Sequence, residues 1–200
     1  MEILHSIDKV VFYFLNHAFA NPFFDWFMPF ITEEDHWRIP ILLAVGALLG
    51  FGRRKGRMTV LLIVLIIALS DQLVNFVIKP LVGRMRPCFV LENVRCLIDQ
   101  PRSKSFPSSH AANMAAMAVL FSVRYRKYAA VFVSIAVLVS YSRIYVGVHY
   151  PSDILGGWAV GALCALGVFA VKRQIGHVLS KRREIHENAI RKNGRRTDRW

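Results

Sequence analysis

The sequence predicts an all-α integral membrane protein, a bundle of about six transmembrane helices with both termini in the cytoplasm. Two observations predict this fold class. Hydrophobic residues make up 54% of the 200 residues and gather in long apolar runs. Several of these runs reach the ~20 residues that cross a bilayer. Clusters of Lys and Arg separate alternate runs, as expected for the cytoplasmic loops of a membrane protein.

Six spans are predicted in chain order, at roughly 10–31, 36–52, 57–78, 108–123, 128–147 and 152–172. The third, fifth and sixth are long and nearly free of charge, whereas the second and fourth need flanking residues to reach the required length. The first carries polar residues such as Asn16 and Asp25, so we expect a kinked or partly interfacial segment there. Residues 1–172 are predicted to form the membrane domain, and residues 173–200 a basic cytoplasmic tail.

Most of the basic residues, which give the chain a formal net charge of +13, lie in three clusters at residues 53–57, 124–127 and 172–199. Placing all three in the cytoplasm leaves residues 79–107 and 143–152 on the extracytoplasmic side of an inner membrane. The pattern favours this topology, with contact to anionic lipids, over a nucleic-acid-binding role.

The predicted extracytoplasmic loop is itself basic, which the topology rule disfavours. Some of its cations could pair with Glu92, Asp99 or lipid phosphates. Lys79 and Arg86 are not readily paired in this way, so we expect an anionic substrate there. The basic residues of this loop are Lys79, Arg84, Arg86, Arg95, Arg102 and Lys104.

A histidine and an aspartate flank the predicted start of the last helix. Pro151 suits the first helical position, so His149 lies just before the helix and Asp153 lies in its first turn. The carboxylate of Asp153 can accept the N–H of one ring nitrogen of His149 and leave the other nitrogen as a nucleophile. This is the logic of an Asp–His–Ser triad, with His rather than Ser as the attacking group.

A second histidine begins the fourth span, in the sequence Pro107-Ser108-Ser109-His110. Serine is a favoured N-cap, and the unpaired N–H groups of a first helical turn bind anions. Ser108 and Ser109 add hydroxyl donors, and a protonated His110 could donate to a phosphate oxygen or to a leaving group. A capped helix with a surface histidine is the alternative interpretation.

Lys79, Arg86 and Arg143 are the candidate cations of the site, and we call them the cation group. The planar fork of Arg86 suits two phosphate oxygens at once. Arg143 lies near the end of a span, where its charge needs a partner such as phosphate.

Two features of the third predicted span bear on the site. Pro80 should end this span and leave Lys79 at the membrane surface. Asp71 and Asn75 share a helix face, where they either bond neighbouring helices or support the cation group.

Together the motifs resemble the signature of the type 2 phosphatidic acid phosphatase (PAP2) superfamily, which is K-x6-R-P, then P-S-G-H, then S-R-x5-H-x3-D. The matching segments are residues 79–87, 107–110 and 142–153, in the same order and at the same spacings. The resemblance covers roughly residues 10–172 and includes the six-span layout of bacterial membrane members. One position departs from it, since Ser109 stands where the signature has glycine.

The resemblance implies a membrane lipid phosphatase that removes a terminal phosphate at the extracytoplasmic face. His149 would form a phosphohistidine, Asp153 would orient it, and His110 would protonate the leaving group and later activate water. The cation group and Ser108 would bind the phosphate, with Ser109 as one more donor. No metal or other cofactor is expected, since the cation group supplies the positive charge.

Three alternatives to this hydrolase are open. The phosphohistidine could pass its phosphate to a second lipid, which would make the protein a phosphotransferase. A non-enzymatic lipid-binding protein or transporter is the second alternative, and a metal hydrolase built on His110, His149 and Asp153 is the third. Members of the family act on undecaprenyl diphosphate, phosphatidylglycerol phosphate, lipid A 1-phosphate or phosphatidic acid, and the motifs do not choose among these lipids.

Cys88 and Cys96 lie in the same predicted extracytoplasmic loop, whereas Cys164 lies in the last span as a small packing residue. On an oxidising side of the membrane, a disulfide between Cys88 and Cys96 would close this loop, and two reduced thiols are the alternative. No nearby histidine completes a zinc site with them.

Overall fold

The computed structural model describes residues 2–100 and 102–197, and this part of the chain forms helices and loops without a β-strand. In chain order the α-helices are α1 (Glu2–His17), α2 (Pro22–Thr32), α3 (Glu34–Gly50), α4 (Arg53–Gln72), α5 (Lys79–Val82), α6 (Pro87–Val90), α7 (Ser109–Arg124), α8 (Ala129–Tyr145) and α9 (Pro151–Thr197). Predicted spans two, four, five and six correspond to α3, α7, α8 and α9 and begin close to them.

Three helical segments of the described residues are long and apolar enough to cross a membrane, at Arg53–Val82, Arg126–Tyr145 and Pro151–Ile185. The first of them exposes Leu61, Leu65 and Leu69, which are four residues apart and therefore form one outward apolar stripe. In water such a face would be costly, whereas in lipid it is favourable. The predicted class, an all-α membrane protein, is confirmed.

The third predicted span extends at both ends into this helix of 30 residues, Arg53–Val82. It contains a π-helical turn at Leu73–Ile78, which is wider than a regular α-helical turn. The wider turn accommodates Pro80, which lacks an N–H and would break an ordinary helix interior. The helix therefore continues past Pro80, where the sequence predicted its end, and stops at Gly83 in the left-handed conformation.

Two of the basic clusters meet at one end of the bundle. The guanidinium of Arg124 donates to Oγ1 of Thr59 at 2.6 Å and to the carbonyl of Lys55 at 2.7 Å. We call this the basic end. Because Arg124 ends α7 and His110 lies in its first turn, His110 is at the opposite end, which we call the site end.

The predicted first span, 10–31, is two helices rather than one. Asn21 caps α2 by accepting the N–H of Phe24 at 2.9 Å, and Pro22 follows as the first helical residue. Proline suits that position and disfavours a helical conformation at the residue before it, and residues 18–21 between the two helices are not helical. With 11 residues, α2 is also far shorter than the ~20 residues that a span requires.

Both amino-terminal helices pack at the site end. Asp8 of α1 accepts the backbone N–H of Ser152 at 2.9 Å, and Thr32 at the end of α2 accepts a hydrogen bond from Arg143 at 2.9 Å. The amino terminus therefore lies away from the basic cluster at 53–57. The prediction that both share the cytoplasmic side assumed that α1 and α2 form one span, and it stays a prediction.

Two apolar clusters hold the segment between α8 and α9. On one side, Phe12 of α1 belongs to a buried cluster with Tyr150. On the other side, Met28 of α2 belongs to a buried cluster with Val148. Burial of each such side chain stabilises the fold by roughly 1.5–3 kcal/mol. The segment that carries His149 is thus fixed between the two amino-terminal helices.

Close contact between α9 and the start of α7 depends on Gly157 and Gly161, which share one face of α9. A Cβ at Gly157 would lie 2.6 Å from the carbonyl oxygen of Ser108, and one at Gly161 would overlap the carbonyl of Ala112. The absence of side chains lets the backbones meet, and the N–H of Ser108 donates to the carbonyl of Asp153 at 3.0 Å.

By its internal contacts the chain divides into two units, Met1–Ala165 and Leu166–Trp200. The first contains α1 to α8 and the start of α9. The second is the rest of α9, which stays helical to Thr197. The predicted tail over 173–200 is therefore helical in its described part, and residues 198–200 of that tail lie outside the described residues.

Candidate active site

His149 lies in the short segment between α8 and α9, where its side chain is 2% exposed. Its Nδ1 lies 3.3 Å from Oδ2 of Asp153, which also accepts the N–H of Tyr150 at 2.9 Å. A carboxylate at Nδ1 keeps the proton on that nitrogen, so Nε2 retains its lone pair. The structure thus brings together the two residues that the sequence paired, and α9 begins at Pro151 as predicted.

The free nitrogen of His149 faces a cation. Nη1 of Arg86 lies 3.1 Å from Nε2, and the guanidinium is held by Ser103 Oγ at 3.1 Å and the Val148 carbonyl at 3.3 Å. Burial, together with the charges of Arg143 and Arg86, holds the pKa of His149 well below its ordinary value of 6.5. The ring is therefore neutral at physiological pH, and its lone pair points at a group that can bind phosphate.

Lys79 reaches the start of α7 from the end of the long helix. Its ammonium donates to Ser109 Oγ and to Asn75 Oδ1, both at 2.8 Å, and Ser109 donates to Asn75 at 3.0 Å. The signature glycine would lack this hydroxyl, so Ser109 adds a hydrogen-bond partner for Lys79. Asn75 therefore supports the cation group, whereas Asp71 accepts from Asn113 at 3.0 Å and bonds a neighbouring helix.

His110 lies in the first turn of α7, which Ser108 caps by accepting the N–H of Ala111 at 3.4 Å. The ring hydrogen-bonds the backbone of Thr32, and its buried Nε2 has no hydrogen-bond partner among the described residues. Oε1 of Glu34 lies 3.3 Å from Nε2 but does not form a hydrogen bond with it. A buried ring nitrogen without a partner at a helix N-terminus is suited to a substrate oxygen.

Arg143 is 2% exposed and donates from Nη1 to Thr32 Oγ1 at 2.9 Å, while its Nε has no hydrogen-bond partner in the part of the chain described. A buried guanidinium with an unused donor is costly unless an anion completes it. All three members of the cation group act electrostatically on His149, as does His110, so these residues lie around one centre.

Three residues that the sequence did not predict contact this centre. Arg84 donates to Oδ1 of Asp153 at 3.0 Å. Asp8 accepts the backbone N–H of Ser152, and Thr32 accepts a hydrogen bond from Arg143. The sequence marks Arg84 only as one of the cations of a loop. No local pattern marks Asp8 or Thr32, because each meets its partner more than 100 residues further along the chain.

Cys88 and Cys96 are free thiols, and Sγ of Cys96 donates to the carbonyl of Ile98 at 3.8 Å. Burial and the neighbouring Cys96 raise the pKa of Cys88 to about 12. A disulfide between Cys88 and Cys96 stays a prediction. Cys164 is buried in α9, in agreement with a packing role.

Several known proteins have sequences similar to this chain. The family model of the PAP2 superfamily matches residues 59–176. A lipid A 4'-phosphatase of Bacteroides thetaiotaomicron is 32% identical over 170 residues, which cover 80% of this chain and 75% of that protein. Undecaprenyl-diphosphatase BcrC of Bacillus subtilis is 33% identical over 143 residues, which cover 72% of each protein.

A solved structure has the same fold. The transmembrane PAP2-type phosphatidylglycerolphosphate phosphatase of Bacillus subtilis matches with a TM-score of 0.66 and 26% identity, over 88% of this chain and 89% of that one. The family match spans more than half of the chain and includes every motif of the site, from Lys79 to Asp153. The resemblance found in the motifs is confirmed, and the chain belongs to the PAP2 superfamily.

Proposed function

We propose that this PAP2 protein is a membrane lipid phosphatase that works through a phosphohistidine at Nε2 of His149. One observation carries the proposal: Asp153 holds Nδ1, and Nε2 points at Arg86 within a buried set of cations. A phosphate bound by Arg86 would accept the guanidinium hydrogen bonds in place of His149. It would then lie in front of the lone pair of Nε2, which Arg86 no longer engages. This is the position from which attack on phosphorus is possible.

The reaction would proceed in two halves. In the first, Nε2 attacks phosphorus, a P–N bond forms, the P–O bond to the lipid breaks, and protonated His110 gives its proton to the leaving oxygen. Asp153 balances the positive charge of the phosphorylated imidazole. In the second, water attacks phosphorus, the P–N bond breaks and His110 recovers a proton from the water. One water is consumed, and the cation group stabilises the phosphoryl oxygens throughout.

The carboxylate of Asp153 argues against a metal hydrolase built on the same residues. Its Oδ1 accepts from Arg84, and its Oδ2 accepts from His149 and from Tyr150. Both oxygens are therefore engaged by donors, whereas a metal ligand presents an oxygen to the ion. We propose that the positive charge of the reaction comes from the cation group instead.

The substrate is proposed to be a lipid phosphate or diphosphate of the kinds on which the relatives are named to act. Lipid A, undecaprenyl diphosphate and phosphatidylglycerol phosphate are the candidates from those names, and phosphatidic acid is the simplest further member of the class. The protein purified in detergent should release inorganic phosphate from at least one of these four lipids, and a chelator should leave the rate unchanged.

Three outcomes of this experiment would contradict the proposal. The absence of phosphate release from all four lipids would favour a non-enzymatic lipid-binding protein. Loss of activity with a chelator and its recovery with zinc would favour the metal hydrolase. Recovery of the phosphate on a second lipid, rather than as inorganic phosphate, would show a phosphotransferase.

We propose further that the site end faces the extracytoplasmic side of an inner membrane and that the basic end and tail face the cytoplasm. The amino terminus is then extracytoplasmic, since α1 packs at the site end. Five spans remain, formed by α3, the helix Arg53–Val82, α7, α8 and α9. The apolar stripe of α1 would lie along the membrane surface, and its exposed members are Ile3, Ile7, Val10 and Phe14.

Cysteine labelling tests this topology. In a chain without native cysteines, His17→Cys at the site end should react with a membrane-impermeant maleimide in intact spheroplasts. Lys127→Cys at the basic end should react only after lysis, and both positions are exposed. Protection of His17→Cys until lysis would contradict the proposed orientation of the amino terminus.

A further inference from the structure

Arg84 lies at the centre of a network behind Asp153, at an unspecified position of the first motif. Its Nη1 donates to Asp153 Oδ1 at 3.0 Å and to Ser152 Oγ at 2.6 Å. Its Nη2 donates to Asp8 Oδ2 at 2.5 Å. The guanidinium carbon also lies 3.7 Å from the centre of the Tyr150 ring, which adds a cation–π contact. One side chain thus joins α1, the start of α9 and the carboxylate that holds His149.

Asp8 enters this network from α1, where its side chain is buried. Its Oδ1 accepts the backbone N–H of Ser152 at 2.9 Å, and its Oδ2 accepts the hydroxyl of Ser152 at 2.6 Å as well as Arg84. Ser152 is the second residue of α9, so Asp8 supplies the acidic group that a helix N-terminus favours. Asp8 therefore fixes both Arg84 and the first turn of α9.

Asp153 depends on such support because its side chain is completely buried. A buried carboxylate is strongly destabilised unless it is paired and hydrogen-bonded. With Arg84 at Oδ1, the carboxylate cannot rotate without breaking a charge-assisted hydrogen bond. Its other oxygen, Oδ2, therefore stays directed at Nδ1 of His149.

We infer that Arg84 and Asp8 are positioning residues of the phosphotransfer reaction, an inference that rests on the proposed function. Arg84 acts through Asp153, and Asp8 acts through Arg84, so neither residue touches the phosphate. Without them the carboxylate would lose its orientation, the His149 ring would lose its fixed tautomer, and formation of the phosphohistidine would slow. Helix α1 is thereby part of the reaction centre, although it supplies no group to the substrate.

The test compares Arg84→Gln and Asp8→Asn with a matched control, Arg95→Gln. Arg95 belongs to the same loop and also pairs with an amino-terminal helix, through Asp25 of α2. Arg84→Gln should lower kcat about 10- to 100-fold while KM changes less than about threefold, since the cation group still binds the phosphate. Asp8→Asn should lower kcat in the same direction but less, and Arg95→Gln should keep kcat within about threefold of wild type.

A double-mutant cycle separates positioning from a general structural role. In an Asp153→Asn background, Arg84→Gln should lower kcat by less than about threefold, because the group through which Arg84 acts is gone. Arg84→Lys keeps the charge without the fork and should recover part of the kcat lost in Arg84→Gln. Thermal unfolding in detergent reports whether each variant is folded, and if Arg84→Gln is not, Asp8→Asn and Arg84→Lys carry the same comparison.

Several results would overturn the inference. Equal losses of kcat in the two backgrounds would show a structural role, and a rise in KM with unchanged kcat would show direct contact with phosphate. A loss in Arg95→Gln as large as that in Arg84→Gln would show that any link to the amino-terminal helices suffices. A wild-type protein that releases no phosphate would instead defeat the proposed function, so the two failures are distinguishable.

Discussion

Replacing His149 with alanine should abolish turnover, lowering the rate of phosphate release by about 10⁴-fold or more. The change removes Nε2, which lies 3.1 Å from Arg86 and which forms the P–N bond in the proposed reaction. The cation group could still bind phosphate, but no side chain at that position could attack it. Phosphate release by the variant purified in detergent measures the effect.

The control for this variant is His17→Ala, which removes an exposed histidine of α1 and should keep wild-type turnover. The phosphoenzyme is a second readout, because phosphohistidine survives alkali. After brief incubation with radiolabelled substrate and denaturation in alkali, the wild type and His17→Ala should carry label and His149→Ala should not. Phosphate release by His149→Ala at a near-wild-type rate would show that another residue is the nucleophile.

The centre of the site could be predicted from the sequence because its geometry is local. His149 and Asp153 are four residues apart across a helix start, and Pro151 fixes where that helix begins. The same holds for Ser108 and His110, which share the first turn of α7. Local chain geometry brings such residues together whatever the rest of the fold does, so their spacing alone carries the information.

The first span could not be predicted in the same way, because its polar residues are satisfied at long range. Asn16 donates to the carbonyl of Tyr145, 129 residues further along, at 2.7 Å. Asp25 pairs with Arg95, 70 residues away. Placing these polar side chains in lipid would cost free energy. The sequence shows that they are polar but does not show which distant groups they bond. The partners lie at the site end, Tyr145 at the end of α8 and Arg95 in the loop before α7, which is why α1 and α2 pack there.

The cations of the segment 79–107 illustrate the same limit. By charge alone Arg84, Arg86 and Arg95 look alike, yet the structure gives each a different partner. Arg86 faces Nε2 of His149, Arg84 holds Asp153, and Arg95 pairs with Asp25. The motif identifies only Arg86, because the partners of Arg84 and Arg95 depend on where α1 and α2 pack.

His110→Ala should lower the release of lipid alcohols by about 10²- to 10⁴-fold, the range for a lost general acid or base. Nε2 of His110 is buried and has no hydrogen-bond partner among the residues described, so it is available to a substrate oxygen. The loss should depend on the leaving group, because a lipid alkoxide must be protonated as it departs, whereas a nitrophenolate is stable as an anion. His36→Ala, which removes an exposed histidine of α3, should leave the release of the lipid alcohol and of the nitrophenolate unchanged.

A nitrophenyl phosphate that carries an alkyl chain therefore separates the two halves of the reaction. His110→Ala should release about one nitrophenol per protein in a fast burst and then slow, because the phosphohistidine forms but no base remains to activate water. Labelled phosphoenzyme should accumulate in this variant and not in His36→Ala. Slow release without a burst would mean that His110 binds the phosphate rather than transfers protons. The size of the burst thus assigns His110 to one role, since a lost phosphate contact would slow the attack by His149 as much as the attack by water.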